Sequence, residues 1–251
     1  MVKSKVIIVM TAYNVGHVLK KTVEELPKGC WDEIILVDDS STDDTAAIAR
    51  SLGLTVVTHE KNKGYGGAQK TGYKTAIQKG ADFVVLVHGD NQYDPSKVPL
   101  FIRKMQEEGC DLVTGTRMVL GDALSNGMPV WKFIPNRFLT WLENTVFRSH
   151  LSDYHNGFRA YTTRFLKQVP LDLLSDKFDF DTDIIIQGVL RSCKIGEVPH
   201  PTRYDQENSQ MSFGKGIIYG ISILRTVVRY SLHKTGICRR DVYALAKKAG
   251  T

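Results

Sequence analysis

The sequence has only four cysteines, and they lie far apart along the chain: Cys30, Cys110, Cys193 and Cys238. No two of them have the close spacing of a zinc site or of a redox motif, so those classes of protein are excluded. Scattered cysteines are typical of proteins kept in a reducing compartment. We therefore expect free thiols and a cytoplasmic setting.

Long hydrophobic runs, internal repeats and low-complexity segments are also missing. The apolar stretch at residues 6–10 is too short for the core of a signal peptide, and we interpret it as a first strand. The apolar run at residues 216–224 is far shorter than the roughly 20 residues needed to span a bilayer. We therefore expect no transmembrane anchor.

Acidic side chains are scarce in residues 214–251, where Asp241 stands against eight lysines and arginines. The segment predicts an amphipathic helix with apolar residues on one face: Ile217, Ile218, Ile221, Leu224 and Val228. The opposite face carries Ser222, Arg225, Thr226 and Arg229. Such a tail either rests on an anionic, cytoplasmic membrane leaflet or packs its apolar face on the main domain, residues 1–213.

The whole chain of 251 residues carries a net charge of +6, which favours an anionic partner. Nucleotide sugars, lipid phosphates, acidic membranes and nucleic acid all fit that charge. Hydrophobic residues make up 42% and charged residues 24%, as is ordinary for a soluble globular protein with one large core.

The first half alternates strand and helix patterns. Strands are predicted at residues 6–10, 33–37, 54–58, 84–87 and 111–116, and helices at residues 15–26, 43–52, 68–79, 99–108 and 184–190. This alternation predicts an α/β fold with a mostly parallel central sheet flanked by helices. Residues 120–135 show no clear helical or strand periodicity of apolar residues, which predicts a loop that covers the site.

Two predicted strands end in acidic clusters, which is where α/β sheets place their chemistry. Asp38 and Asp39 follow one strand, with a polar turn as the less favoured explanation, and Ser41 or Thr42 is expected to cap the next helix. Asp90 follows another strand. With Gln92 nearby it offers hard oxygen ligands to Mg²⁺ or Mn²⁺.

Two further segments suggest anion binding. The glycine-rich turn at residues 64–67, flanked by Lys61, Lys63 and Lys70, can approach an anionic ligand, or it is only a tight connection. Arg117 stands at a strand end, where a guanidinium pairs well with phosphate.

Six segments in this order resemble family-2 glycosyltransferases: residues 11–14, 37–43, 62–68, 89–92, 115–117 and 153–159. The resemblance covers residues 1–215 and is closest to the polyprenyl-phosphate (dolichyl-phosphate) mannosyl- or glucosyltransferase branch. It implies a GT-A fold, a nucleoside-diphosphate sugar donor and a divalent metal.

By position, the resemblance assigns the following residues to the nucleotide sugar: Thr11, Ala12, Tyr13, Asn14, Asp38, Asp39, Gly64, Gly67, Gly89, Asp90, Asn91, Arg203 and Lys215. Asp90 and Gln92 would hold the metal. The family often has Asp-X-Asp here, whereas this sequence has His88, which either binds Mn²⁺ or does not touch metal. Residues 203–215 resemble a closing Arg-to-Ser-Lys loop with altered spacing.

For catalysis, the resemblance implies roles for Asp90, Arg117, Arg137, Asp153, Arg159 and Asp183. An acceptor phosphate is already anionic and chiefly needs cations to position it, which suits the three arginines. Structural ion pairs are the alternative for them. The acids at residues 179–183 either start a helix or, through Asp183, shape the acceptor site.

We expect an inverting, metal-dependent transferase that moves a sugar from a nucleoside diphosphate to a polyprenyl phosphate. An acceptor hydroxyl on a saccharide or protein is an alternative, with Asp153, Asp181 or Asp183 as general base. A sugar nucleotidyltransferase is another, but residues 11–14 stand where its glycine- and arginine-rich loop would be. A non-catalytic nucleotide-sugar binder is the third. No nucleic acid partner is expected.

Overall fold

The computed structural model describes residues 4–119, 123–203 and 213–244. Its central sheet has the strand order β3-β2-β1-β4-β6-β5-β7. The strands are β1 Val6–Ala12, β2 Glu33–Asp38, β3 Thr55–Thr58, β4 Phe83–His88, β5 Leu112–Thr116, β6 Arg159–Thr162 and β7 Ile195–Pro199. Strand β6 runs antiparallel to both neighbours and the other pairings are parallel, which confirms the mostly parallel sheet.

Helices cover both faces of this sheet. They are α1 Gly16–Glu24, α2 Thr45–Ser51, α3 Tyr65–Gln78, α4 Val98–Glu108, α5 Val130–Phe147, α6 Thr163–Leu166, α7 Phe180–Leu190 and α8 Phe213–Lys234. Among the described residues, no helix is long and apolar enough to cross a membrane.

Alternation along the strands sorts the core into two layers. Ile8 and Met10 of β1 face the layer that contains α1 and α4, whereas Ile7 and Val9 face the layer that contains α3 and α7. Both sets are fully buried, as expected for the continuous apolar run of a central parallel strand.

The region predicted as a covering loop differs from that expectation. Helix α5 begins at Val130, so residues 130–135 are helical, with Pro135 inside the helix. Pro135 lowers the helical signal in the sequence because proline lacks an amide N–H. Residues 120–122 of the predicted loop lie outside the described residues.

The predicted cap of α2 is also wrong. Helix α2 begins at Thr45 after Asp44, and the side chain of Asp43 accepts the backbone N–H of Thr45 at 3.0 Å. Thr42 instead donates its N–H to the side chain of Asn14, in the loop after β1.

Helix α8 packs on the protein with a different face from the one that the sequence suggested. Its buried residues are Ile223, Thr226, Val227 and Tyr230. The three apolar ones join a cluster with α5 and α7. The predicted apolar face remains exposed, from 41% at Leu224 to 69% at Ile218. The expectation that this face packs on the main domain is therefore wrong.

Candidate active site

Four strands bring the polar segments to one edge of the sheet. In the parallel register, Ala12 lies opposite Asp38 and Thr11 lies opposite His88. The N–H of Gly89 donates to the carbonyl of Thr11 at 3.0 Å. Strand β5 ends at the same edge and delivers Arg117. The sheet therefore gathers segments that are far apart in sequence where α/β proteins bind ligands.

Asp38 and Asp39 are buried and organise the loops at this edge. Asp38 accepts the N–H of Ser41 at 3.2 Å. Asp39 accepts the N–H groups of Lys63 and Gly64 at 2.8 and 2.9 Å, and its Oδ1 lies 2.6 Å from Nδ1 of His59. These bonds fit the polar-turn alternative. Contact of either carboxylate with a nucleotide stays a prediction.

The loop after β1 presents an aromatic ring to solvent. Tyr13 is 53% exposed, and Asn14 has a positive φ of 54°. The side chain of Asn14 accepts the N–H of Thr42 at 2.8 Å, which fixes the loop against the start of α2. An exposed tyrosine on a fixed loop offers a flat surface for a nucleobase.

The glycine-rich turn before α3 packs against the backbone of Asp176. The N–H groups of Gly66 and Gly67 donate to the carbonyl of Asp176 at 2.8 and 3.3 Å. A Cβ at Gly64, which has φ +84°, would come within 2.7 Å of the same carbonyl. Lys70 pairs with the Asp176 carboxylate at 2.6 Å. These contacts fit the alternative of a tight connection, and contact of Gly64 or Gly67 with the nucleotide sugar stays a prediction.

Asp90 and His88 differ in what surrounds them. The Asp90 carboxylate accepts the N–H of Gln92 at 3.1 Å, and burial raises the pKa of Asp90 despite the nearby His88. His88 packs edge-on against the rings of Tyr65 and Tyr93, and burial lowers its pKa, so its imidazole is neutral. Among the described residues, no three histidine, cysteine, aspartate or glutamate side chains form a ready-made metal site.

Arg117 and Asp153 form a buried ion pair with two hydrogen bonds. Nε and Nη2 of Arg117 donate to the two carboxylate oxygens at 2.7 and 3.0 Å. Burial alone would raise the pKa of Asp153, but the charge and hydrogen bonds of Arg117 hold this pKa well below its usual range. A carboxylate in that state is a weak base. The structure thus favours Asp153 as an anchor for Arg117.

Helix α5 contributes an amide contact to this pair and carries two cations, Lys132 and Arg137. Asn136 donates to Asp153 at 3.1 Å, and the next residue, Arg137, is exposed beside a cavity of about 500 Å³. Four hydroxyl side chains and His150 line the same cavity: Thr140, Thr145, Ser149 and Ser152. Lys132 is half-buried, and its pKa is lowered first by burial and then by the positive charge of Arg117.

Arg159 is a structural residue, and the expected contact with an acceptor phosphate is wrong. It is fully buried, and its three guanidinium nitrogens donate to the carbonyls of Asn156, Asp181 and Tyr154 at 2.7 to 2.9 Å. The ion-pair alternative holds, since its Nη1 lies 3.6 Å from the carboxylate of Asp181.

Asp181, rather than Asp183, faces the site from α7. Asp181 accepts the hydroxyl proton of Tyr65 at 2.9 Å, and Tyr65 lies beside His88. Asp183 accepts the N–H of Ser175 at 3.1 Å, and burial raises its pKa to about 7. Residues two apart on a helix point to different sides, so one turn cannot present both acids to the same site. A catalytic role of Asp183 therefore stays a prediction, and its contact with Ser175 fits the alternative of a helix start.

Arg203 reaches the strand-end motif across the fold. Its N–H donates to the carbonyl of Gln92 at 2.9 Å, and its guanidinium donates to Asn91 and Glu25 at 2.6 and 2.8 Å. Lys215 lies exposed in the first turn of α8. Residues 204–212 of the predicted closing loop lie outside the described residues, so a diphosphate clamp stays a prediction.

His155 connects the tail helix to the ion pair. Its backbone N–H donates to Asp153 at 3.0 Å, and its carbonyl accepts Nη2 of Arg117 at 2.9 Å. On its ring, Nδ1 lies 2.9 Å from the Tyr219 hydroxyl and Nε2 lies 3.2 Å from the buried carboxylate of Glu143. Helices α5 and α8 therefore hold His155 in place, and the backbone of His155 contacts both Arg117 and Asp153.

The family model for "Glycosyl transferase family 2" matches residues 7–170, which include β1, β4 and the Asp153–Arg159 segment. The chain belongs to glycosyl transferase family 2. The expected family is confirmed, and the protein is an enzyme of glycosyl transfer.

Relatives of this glycosyltransferase match over most of their length. An uncharacterised protein of Methanocaldococcus jannaschii is 32% identical, with 88% of this chain and 90% of that protein covered. A UDP-N-acetylglucosamine–dolichyl-phosphate N-acetylglucosaminyltransferase of Methanococcus voltae is 27% identical, with 90% and 96% covered. An undecaprenyl-phosphate mannosyltransferase of Micrococcus luteus is 25% identical, with 85% and 89% covered.

A solved structure confirms the fold. Glucosyl-3-phosphoglycerate synthase of Mycobacterium tuberculosis, in complex with Mn²⁺, UDP and phosphoglyceric acid, aligns with a TM-score of 0.70 and 19% identity. The alignment covers 93% of this chain and 79% of that chain. The fold of this glycosyltransferase is GT-A, as the sequence resemblance implied.

The sequence patterns did not single out three residues that lie beside the predicted site residues or their neighbours: Tyr65, Lys132 and Tyr219. Tyr65 stands in a turn where only the glycines attracted notice, and Lys132 lies in the segment predicted as a loop. The helical spacing of apolar residues from Trp131 to Trp141 is the signal that would have placed Lys132 on a helix.

Proposed function

We propose that this glycosyltransferase moves a sugar from a nucleoside-diphosphate sugar to a polyprenyl phosphate, with inversion at the anomeric carbon. The observation that carries the proposal is that Lys132 lies near Arg117, with the exposed Arg137 on the same helix α5, at an edge that adjoins exposed apolar helix surface. Cations can bind the phosphate of such an acceptor, and an exposed apolar surface can contact its hydrocarbon chain. Two relatives named for dolichyl- and undecaprenyl-phosphate substrates support it.

A divalent metal fits the residues at the end of β4. Burial leaves the Asp90 carboxylate poorly solvated, and such a carboxylate gains from a nearby cation. Asp90 would hold Mg²⁺ or Mn²⁺ together with the donor diphosphate, and Gln92 offers an amide oxygen. When bound, the metal would stabilise the charge of the departing nucleoside diphosphate. His88 is neutral but packs between two tyrosines, which favours a wall of the site over a metal ligand.

In the proposed reaction, an oxygen of the acceptor phosphate attacks the anomeric carbon while the bond to the nucleoside diphosphate breaks. The phosphate oxygen is already anionic, so no general base is needed. This agrees with Asp153, whose lowered pKa makes it a poor base. Arg117 and Arg137 hold the acceptor phosphate, and Tyr13 and Asn14 contact the nucleoside. Peripheral contact with the cytoplasmic face of an anionic membrane belongs to the same proposal.

The first test is thermal stability with UDP- and GDP-sugars in the presence of Mn²⁺, Mg²⁺ or EDTA. A ligand that binds the folded state raises the melting temperature. We expect a rise with one nucleotide class that EDTA removes and that Asp90→Asn abolishes. Asp44→Asn, an exposed acid before α2, is the control.

The second test is transfer to a short, water-soluble prenyl phosphate with the donor found in this way. We expect a product of inverted anomeric configuration by NMR. Transfer to saccharide hydroxyls without transfer to the prenyl phosphate would reject the proposed acceptor. Binding without any turnover would favour a nucleotide-sugar binder.

A further inference from the structure

Helices α5 and α8 leave a large apolar surface uncovered on the described part of the chain. On α5, the exposed residues are Val130, Trp131, Ile134, Phe138 and Trp141, between 37% and 62% exposed. On α8, they are Phe213, Ile217, Ile218, Ile221, Leu224 and Val228, between 41% and 69% exposed. Contiguous apolar area of this kind on a single chain marks a site of interaction.

The two exposed rows are joined into one surface. The rings of Trp131 and Phe213 meet edge to face at 5.3 Å between centroids. A Cβ at Gly216 would lie 3.2 Å from the Trp131 ring, so the helices approach closely at this point. Each helix buries its other face: Leu139 of α5 and Ile223 of α8 lie in the same core cluster. The exposed rows are therefore additional to the residues that the fold uses.

The charges around this surface have one sign. Six lysines and arginines lie on the two helices: Lys132, Arg137, Lys215, Arg225, Arg229 and Lys234. Glu143 is the single acid within these two described helices, and its side chain is fully buried against His155. The edge of the surface at Trp131 and Lys132 adjoins Arg117, where the proposed acceptor phosphate would sit.

We propose that α5 and α8 together form a membrane-docking surface that inserts its apolar rows into a bilayer rich in anionic lipids. The inference rests on the proposed function, because the phosphate of the acceptor lipid would reach Arg117 from this side. In this surface, α5 carries the docking as much as the tail helix α8 does. Tryptophans such as Trp131 and Trp141 favour the interface between the bilayer and water, and the flanking cations attract anionic lipid headgroups.

The test is co-sedimentation with vesicles of phosphatidylcholine, with or without phosphatidylglycerol. We expect binding that requires phosphatidylglycerol and weakens with added salt. The double variant Ile134→Gln and Phe138→Gln should lower the partition coefficient by at least about tenfold, since two large apolar side chains lose burial. Leu173→Gln, which is 54% exposed and lies on another part of the surface, should leave it unchanged.

Equal partitioning of the double variant and the wild type, or no binding of the wild type to anionic vesicles, would overturn the proposal. So would a stable dimer that the double variant dissociates, because a second copy would then cover the surface. Melting temperatures with donor and metal check that the variants fold. Transfer to the short prenyl phosphate separates the two ideas: transfer without vesicle binding rejects the docking surface alone, and vesicle binding without transfer rejects the proposed reaction alone.

Discussion

At the scale of single residues, Arg117 and Asp153 show how one contact serves both stability and function. The Asp153 carboxylate is completely buried, and Arg117 supplies its charge compensation while remaining at the edge of the site. A buried carboxylate without a cation is costly, so the pair is sensitive to loss of either partner. Function at this position therefore cannot be tested by simple truncation of Arg117.

Arg117→Ala should lower the free energy of unfolding by about 3 to 5 kcal/mol, because Asp153 is left buried and unpaired. Urea denaturation measures this change. Arg137→Ala, at an exposed position on the neighbouring helix, should change it by less than about 0.5 kcal/mol. A similar loss in both variants would contradict the assignment of the buried charge to Asp153.

Arg137→Ala is consequently the cleaner probe of the acceptor. Loss of one charged hydrogen bond of about 1.5 to 3 kcal/mol should raise the KM for the prenyl phosphate by about tenfold or more. The KM for the donor should not change. Steady-state kinetics with each substrate varied in turn measures both values, and equal increases would place Arg137 away from the acceptor.

The raised pKa of Asp183 predicts that the stability of the protein depends on pH. Its pKa is raised to about 7 by burial, against about 3.9 for an ordinary aspartate. Below pH 3.9 both states hold the proton. Between about pH 4 and 7 the unfolded state releases it first, so the free energy of unfolding falls as the pH rises, and above pH 7 this contribution is constant.

Asp183→Asn should remove this decrease of the free energy of unfolding with rising pH. Relative to the wild type, the variant should gain up to about 4 kcal/mol between pH 4 and pH 8. Urea denaturation at several pH values measures the difference, with Asp44→Asn as the exposed control. A variant with the same pH slope as the wild type would mean that Asp183 is ionised in the folded protein.

At the scale of elements, close packing against the sheet constrains α3. A Cβ at Gly72 would overlap the side chain of Val9 on β1, and Val37 of β2 lies 3.3 Å away. Helix α3 thus lies near the sheet only because this position has no side chain. The sequence offers no sign of this requirement, since a glycine in a helix is usually only unfavourable.

Gly72→Ala should therefore destabilise the protein by about 1 to 3 kcal/mol through overpacking, despite the better helix propensity of alanine. Gly220→Ala is the matched control in α8, where the nearest atom to a new Cβ is 4.0 Å away. It should be neutral or stabilising by up to about 1 kcal/mol. Stabilisation by Gly72→Ala in thermal or urea unfolding would show that the helix can move away from the sheet.

At the scale of the whole molecule, α8 has two apolar faces with separate tasks. Ile223 is fully buried in the cluster with α5 and α7, and Ile221 is 45% exposed on the proposed docking surface. The helix therefore completes the core while it presents apolar side chains outward. The division of the chain into residues 1–213 and 214–251 stays a prediction.

Ile223→Ala and Ile221→Ala should separate these tasks. Ile223→Ala should lower the free energy of unfolding by about 2 to 5 kcal/mol, because it leaves a cavity in the core. Ile221→Ala should change stability by less than about 0.5 kcal/mol but weaken partitioning into anionic vesicles severalfold. Unfolding curves and vesicle sedimentation measure the two effects, and the same response from both variants would refute two separate faces.

By itself, the sequence determined the parallel sheet, the order of its first elements and the family, because apolar runs with acidic ends are local signals. It also predicted Asp90, Arg117 and Asp153 as site residues, and their roles there stay predictions. Only the tertiary structure decided that Arg159 is buried, that Asp181 faces the site while Asp183 does not, and that the glycine turn is filled by the backbone of Asp176. The physical reason is that burial and partners depend on contacts between distant segments. The same reason explains α8, where helical spacing identified an apolar face but could not tell which face the core would take.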